Sequence, residues 1–124
     1  MDTAKEMTPA QLTRMRADAA MQHAGFERGW KANPINVAGV SNYQDTLRGL
    51  ASKWGNTPAL IWLLPENNPH DENAMRVEID GLQVGYLPKA KAKKARAIGG
   101  PVPALGYVIK WEKGYRVELF AKGL

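Results

Sequence analysis

The sequence predicts a small, mainly β barrel of about six strands, with one helix ahead of it and a basic helix inserted late. Three observations predict this. Two pairs of alternating apolar runs are joined by tight turns. One unbroken apolar run, Ala59-Leu60-Ile61-Trp62-Leu63-Leu64, lies between turn signals. A lysine- and alanine-rich stretch separates the middle hairpin from the last one. Closing such strands on themselves removes the unpaired edges that an open sheet leaves. At 124 residues the chain suits a single domain with one core.

Taken in order, Thr8-Pro9-Ala10-Gln11 carries the devices of a helix start: a capping hydroxyl, proline at the first helical position and glutamine three residues after the cap. Met7 and Leu12 stand where a hydrophobic staple closes. Leu12, Met15 and Ala19 share a face, and the helix is expected to stop near Gly25. This alanine-rich face either covers part of the core or meets a partner. Ile35 to Tyr43 reads as a strand, and Asp45 to Trp54 as a short helix or turn with Leu47, Leu50 and Trp54 on one side. Asn56-Thr57-Pro58 is a turn, and the apolar run that follows is a central strand. Met75, Val77 and Ile79 then alternate with polar residues, as do Leu82, Val84 and Tyr86, across the two-residue turn Asp80-Gly81. That register sets Ile79 against Leu82 and Val77 against Val84. Lys89 to Ile98 has helical propensity and ends at Gly99-Gly100-Pro101. In the last hairpin Ile109 is expected to face Val117 across a three-residue loop, Glu112-Lys113-Gly114. Trp62 and Trp111 are assigned to the core; Trp30 and Trp54 are left open.

The formal charge of +5 is unevenly spread. Residues 1–40 carry five basic and four acidic groups, 41–88 three and six, and 89–124 nine and two. The positive field of the last third attracts phosphate or anionic lipid. Cysteine is absent, which removes disulfides, thiolate metal sites and cysteine nucleophiles and suits a reducing cytosol. There is no apolar run of membrane-spanning length and no signal-peptide order at the start, so a cytoplasmic protein without a membrane partner is expected, nucleoid association being compatible with its charge. Walker, dinucleotide-binding and paired-carboxylate catalytic motifs are missing, and with only two histidines neither a catalytic triad nor a zinc site is assembled. A non-enzymatic protein with no cofactor or metal is the expectation.

The densest polar stretch is Leu64-Pro65-Glu66-Asn67-Asn68-Pro69-His70-Asp71-Glu72-Asn73-Ala74, set between two strands. Short polar side chains there either bond the backbone as a structural corner or hold a ligand. Together with Val37-Ala38-Gly39-Val40-Ser41-Asn42-Tyr43 and Val84-Gly85-Tyr86-Leu87-Pro88, this loop resembles a HIRAN domain of the stand-alone bacterial or phage type. The likeness covers roughly residues 35–98 and continues more weakly through the last hairpin. It implies an N-terminal helical extension, 1–28, followed by a HIRAN-like domain, 29–124, with a modified OB-like barrel. Such domains, in remodelling helicases of DNA repair, engage single-stranded DNA and read its free 3′ end.

The resemblance places Asn67, Asn68, His70 and Asp71 in the pocket that meets the last nucleotides. An aspartate can accept a hydrogen bond from a terminal hydroxyl and repel a phosphorylated end, or it can fix the turn by accepting from backbone N–H groups. His70 can stack on a base or stand exposed without a role, and Asn73 reads as structural. Ser41 and Asn42 occupy positions where some DNA-binding members carry a basic residue followed by an aromatic, while Tyr43 keeps a ring that serves either stacking or the core. Strand alternation turns Tyr86 inward; the family pattern sets it near the pocket. Lys89, Lys93 and Arg96 share one face of the inserted helix, as a solvated surface or as a phosphate contact beside the loop. The leading expectation is a module binding single-stranded DNA or DNA ends. Its alternative is a non-enzymatic protein-interaction domain that has lost this pocket and works through its N-terminal helix or a strand edge. A third reading has Glu66, Asp71 and Glu72 gather a divalent metal for phosphoryl transfer.

Overall fold

A computed structural model describes residues 34–124 together with Thr8, Gln11 and Met15. At the N-terminus the capping box forms reciprocally: Thr8 N–H donates to Gln11 Oε1 at 2.9 Å, and Gln11 N–H to Thr8 Oγ1 at 3.2 Å. Gln11 and Met15 are helical. The rest of the expected helix, its stop at Gly25, Trp30 and the boundary at 28/29 lie outside the described residues.

Alternation builds the sheet. Strand β1 (Ile35–Asn36) is followed by a 3-10 turn (Val40–Tyr43) and helix α1 (Gln44–Trp54). Next come β2 (Ala59–Pro65), β3 (Met75–Ile79), β4 (Leu82–Tyr86), α2 (Lys89–Ile98), β5 (Val102–Trp111) and β6 (Gly114–Phe120). The six strands form one antiparallel sheet in the order β1-β6-β5-β2-β3-β4. The sheet curls strongly into an OB-like half-barrel whose edges meet at one residue: Ala38, just past β1, exchanges two hydrogen bonds with Tyr86 of β4, at 2.8 and 2.9 Å. The approach depends on Gly85, where a Cβ would lie 2.4 Å from Ala38 O and 2.6 Å from Val37 Cγ1.

The inner face buries Ile61 and Leu63 of β2, Met75, Val77 and Ile79 of β3, Val84, Val117 and Leu119, with Leu47, Leu50 and Trp54 of α1 closing one end. Each such side chain stabilises the fold by about 1.5–3 kcal/mol relative to exposure. The helical reading of 45–54, the central strand, the Asp80-Gly81 hairpin and the 89–98 helix agree with these elements.

Several expectations are corrected. The strand read over Ile35 to Tyr43 stops at Asn36, because Gly39 turns left-handed (φ 75°) and accepts from Asn42 N–H at 3.2 Å to start the 3-10 turn. Val77 faces Gly85 instead of Val84, since a bulge inserts Val84 between the Glu78–Gln83 and Val77–Gly85 pairs. Tyr86 therefore leaves the inner face and shares the outer one with its partner Arg76. In the last hairpin Val108 faces Val117 and Ile109 faces Arg116, with Trp111 opposite Gly114 across a two-residue loop. The Gln44 amide fixes this register: it donates to Tyr115 O at 2.9 Å, accepts from Tyr115 N–H at 2.8 Å, and donates to Val40 O at 2.9 Å. Trp111 is consequently 45% exposed rather than core, and Trp62 lies half-buried on the opposite face of β2 from Ile61 and Leu63. Among the described tryptophans the buried one is Trp54, whose Nε1–H donates to Asp80 Oδ2 at 3.0 Å.

Candidate nucleic-acid interface

The loop between β2 and β3 is built by its own short side chains. Glu66 N–H donates to Ala74 O at 3.0 Å and closes its neck. Asn68 Oδ1 accepts from His70 N–H at 2.9 Å, and Asp71 Oδ1 accepts from Asn73 N–H at 3.0 Å, giving two successive Asx turns. The Asn68 and Asp71 carbonyls accept from Asp71 and Ala74 N–H, both at 3.2 Å. One carboxylate oxygen of Asp71 thus fixes the turn, as the structural reading required, and Oδ2 takes no part in it. Asn67 and His70 are exposed; Asn68, Asp71 and Asn73 are half-buried.

Helix α2 lies at the same end, because it links the end of β4 to the start of β5. It buries Ala92 and Ala95, which leaves its lysines on the outer side. The three residues expected to share a face, at i, i+4 and i+7 of this helix, differ in their partners. Lys89 and Lys93 are exposed and make no hydrogen bond or ion pair among the described residues. Arg96 donates to Glu72 O from Nε (3.1 Å) and Nη2 (2.7 Å), so the helix clasps the loop. Lys91 reaches Leu124 O at 3.4 Å.

A second group stands on the outer face. The 3-10 turn packs on β4 and carries Ser41 and Asn42, both exposed, and Tyr43, half-buried. Burial raises the Tyr43 hydroxyl above its ordinary pKa, and Tyr86 and Glu66 nearby add to that effect. Arg76 hydrogen-bonds Glu78, which with neighbouring Glu66 and Tyr86 strengthens its hold on the proton against partial desolvation. Tyr43, Tyr86, Glu66 and Arg76 therefore form one cluster at the root of the loop. Sequence reasoning missed Arg76, although its place as the polar member of β3 opposite Tyr86 was readable once the hairpin register was known.

Among the described residues, no three or more His, Cys, Asp or Glu side chains gather as a metal site, and no helix is long and apolar enough to cross a membrane. The fold shape is consistent with a nucleic-acid-binding module of the OB-like kind. Comparisons with protein-family models, characterised proteins and solved structures give no match to this chain.

Proposed function

We propose that this chain is a non-enzymatic, HIRAN-like module that engages single-stranded DNA at free 3′-hydroxyl ends. The observation that carries the reading is the convergence at one end of the barrel of the Asx-turned loop and the basic helix, held together by Arg96 on Glu72. In this reading Lys89 and Lys93 neutralise backbone phosphates, and Tyr43 and Tyr86 offer rings to the terminal bases. Asp71 Oδ2 receives the terminal hydroxyl while Oδ1 keeps the turn. Arg76 supplies a cation from β3 where Ser41 offers none.

The test is a competition titration of two oligonucleotides that differ only in a 3′ hydroxyl or a 3′ phosphate. The hydroxyl end should bind more tightly by about 1.5–3 kcal/mol, the worth of one hydrogen bond to a charged group. Asp71→Ala should erase the preference, while Lys93→Gln should weaken both ends equally. Equal affinity for both ends in the intact protein rejects end recognition; no affinity at low salt rejects the DNA-binding reading altogether.

A further inference from the structure

Strand β5 is longer than its neighbour on one side. Its register with β2 ends at Gly106, opposite Ala59, whereas its register with β6 runs on to Trp111. From Tyr107 to Trp111 the β2-side edge of β5 consequently has no strand partner among the described residues. Such an edge presents backbone N–H and C=O groups as a template for another strand. Beside it, the turn after α1 leaves two adjoining hollows of about 330 and 360 Å³ that share Gly55, Asn56, Val108 and Lys110. Among the described residues, the charged side chains lining them are Arg48 and Lys110, and no carboxylate does so. Arg48 also meets Asp45 at 3.3 Å, but that pair is solvent-exposed and worth little.

We propose that the Tyr107–Trp111 edge and its groove dock an extended acidic peptide, which adds to β5 as a further strand in the line of β2. A main-chain edge unpaired among the described residues favours a polypeptide, because a peptide repeats matching donors and acceptors and a phosphodiester has acceptors alone. The basic lining selects acidic side chains at alternate positions. Five edge residues span about 17 Å, enough for a segment of similar length. The groove lies beyond Gly106, at the other end of β5 from Val102 and α2, so the peptide and a strand of DNA need not compete.

The experiment uses the whole chain, labelled with ¹⁵N, and four synthetic peptides. These are acetyl-DVEIEV-amide, its lysine counterpart acetyl-KVKIKV-amide, and two DVEIEV peptides N-methylated on odd or on even backbone nitrogens. Addition of DVEIEV should shift the Tyr107–Trp111 amides and slow their hydrogen exchange. One of the two N-methylated peptides should bind at least ~10-fold more weakly and the other near normally, since only one set of N–H groups faces the edge. The lysine peptide and the variant Lys110→Glu should each show a loss of about fivefold or more. No shift in this segment at millimolar peptide, or equal binding of both N-methylated peptides, overturns the proposal. So does an oligothymidylate that shifts the same amides and is displaced by the peptide, which makes the groove a nucleic-acid track. Concentration-dependent shifts at 107–111 without peptide overturn it in favour of a second copy's edge.

Discussion

Arg96→Met should weaken oligonucleotide binding while leaving its salt dependence unchanged. The guanidinium places two charge-assisted hydrogen bonds on one carbonyl, Glu72 O, at 3.1 and 2.7 Å. Bonds to charged groups contribute about 1.5–3 kcal/mol each when shielded, but the pair lies at the surface, and screening reduces it to about 1–2 kcal/mol in total. Methionine keeps most of the apolar stem, so the change isolates the clasp from packing. Without the clasp, ordering the 66–74 loop falls to the ligand, and 1–2 kcal/mol corresponds to a Kd roughly 5–30-fold weaker. The assay is fluorescence anisotropy of a labelled oligothymidylate over a potassium chloride series. Plots of log Kd against log salt for Arg96→Met and the parent should run parallel, whereas Lys93→Gln should lower the slope by about 0.7 for one lost phosphate contact. Amides of Asp71 to Ala74 should exchange faster in the variant. A slope that falls with Arg96 as it does with Lys93 would show Arg96 on a phosphate and refute the clasp.

Three further outcomes follow from the geometry. Gly85→Ala should cost about 2–4 kcal/mol in urea unfolding, from overpacking against Ala38 O and strain on the two bridge hydrogen bonds; a loss below about 1 kcal/mol would mean that the edges are held elsewhere. Gln44→Leu should cost about 2–3 kcal/mol by stripping Tyr115 of partners for both its N–H and its carbonyl, and exchange at the tip of the last hairpin should rise with it. Tyr43 should ionise above its ordinary value of 10.0 in an ultraviolet titration read against Tyr43→Phe. The folded state favours its neutral form, so this contribution to stability is whole below the unfolded pKa and is lost as pH rises through the folded one; Tyr43→Phe should flatten that alkaline loss.

Local signals recovered most of the fold because each element carries its own. The Asp80-Gly81 turn works through adjacent residues, with both φ values positive at 54° and 78°. Helix α2 follows its propensity and its glycine stop. What went astray depended on partners distant in sequence. Gln44 sets the pairing of a hairpin 71 residues away, and no pattern within Tyr107–Leu119 announces it. The bulge at Val84 is tied to closure against Ala38, so simple alternation gave Tyr86 the wrong face. At the candidate site, Asn68 and Asp71 were legible as turn formers because an Asx turn spans two residues. The clasp of Arg96 on a loop 24 residues earlier was not, since a main-chain carbonyl has no sequence signature.

The pairing of Ile35 with Leu119, and of Ala38 with Tyr86, imposes a timetable on synthesis. At about 5–20 residues per second, some 33 residues and about 2–7 s separate the emergence of Tyr86 from that of Leu119. During that interval β2, β3 and β4 can already form a meander, yet β2 still waits for β5. Its run Ala59-Leu60-Ile61-Trp62-Leu63-Leu64 is then an uncovered apolar edge on the ribosome, the kind of strand that chaperones retain and that aggregates when they do not. Substitutions that slow docking of the β5–β6 hairpin will accordingly lower the yield of soluble chain per round of translation, even where the finished protein unfolds at the same denaturant concentration.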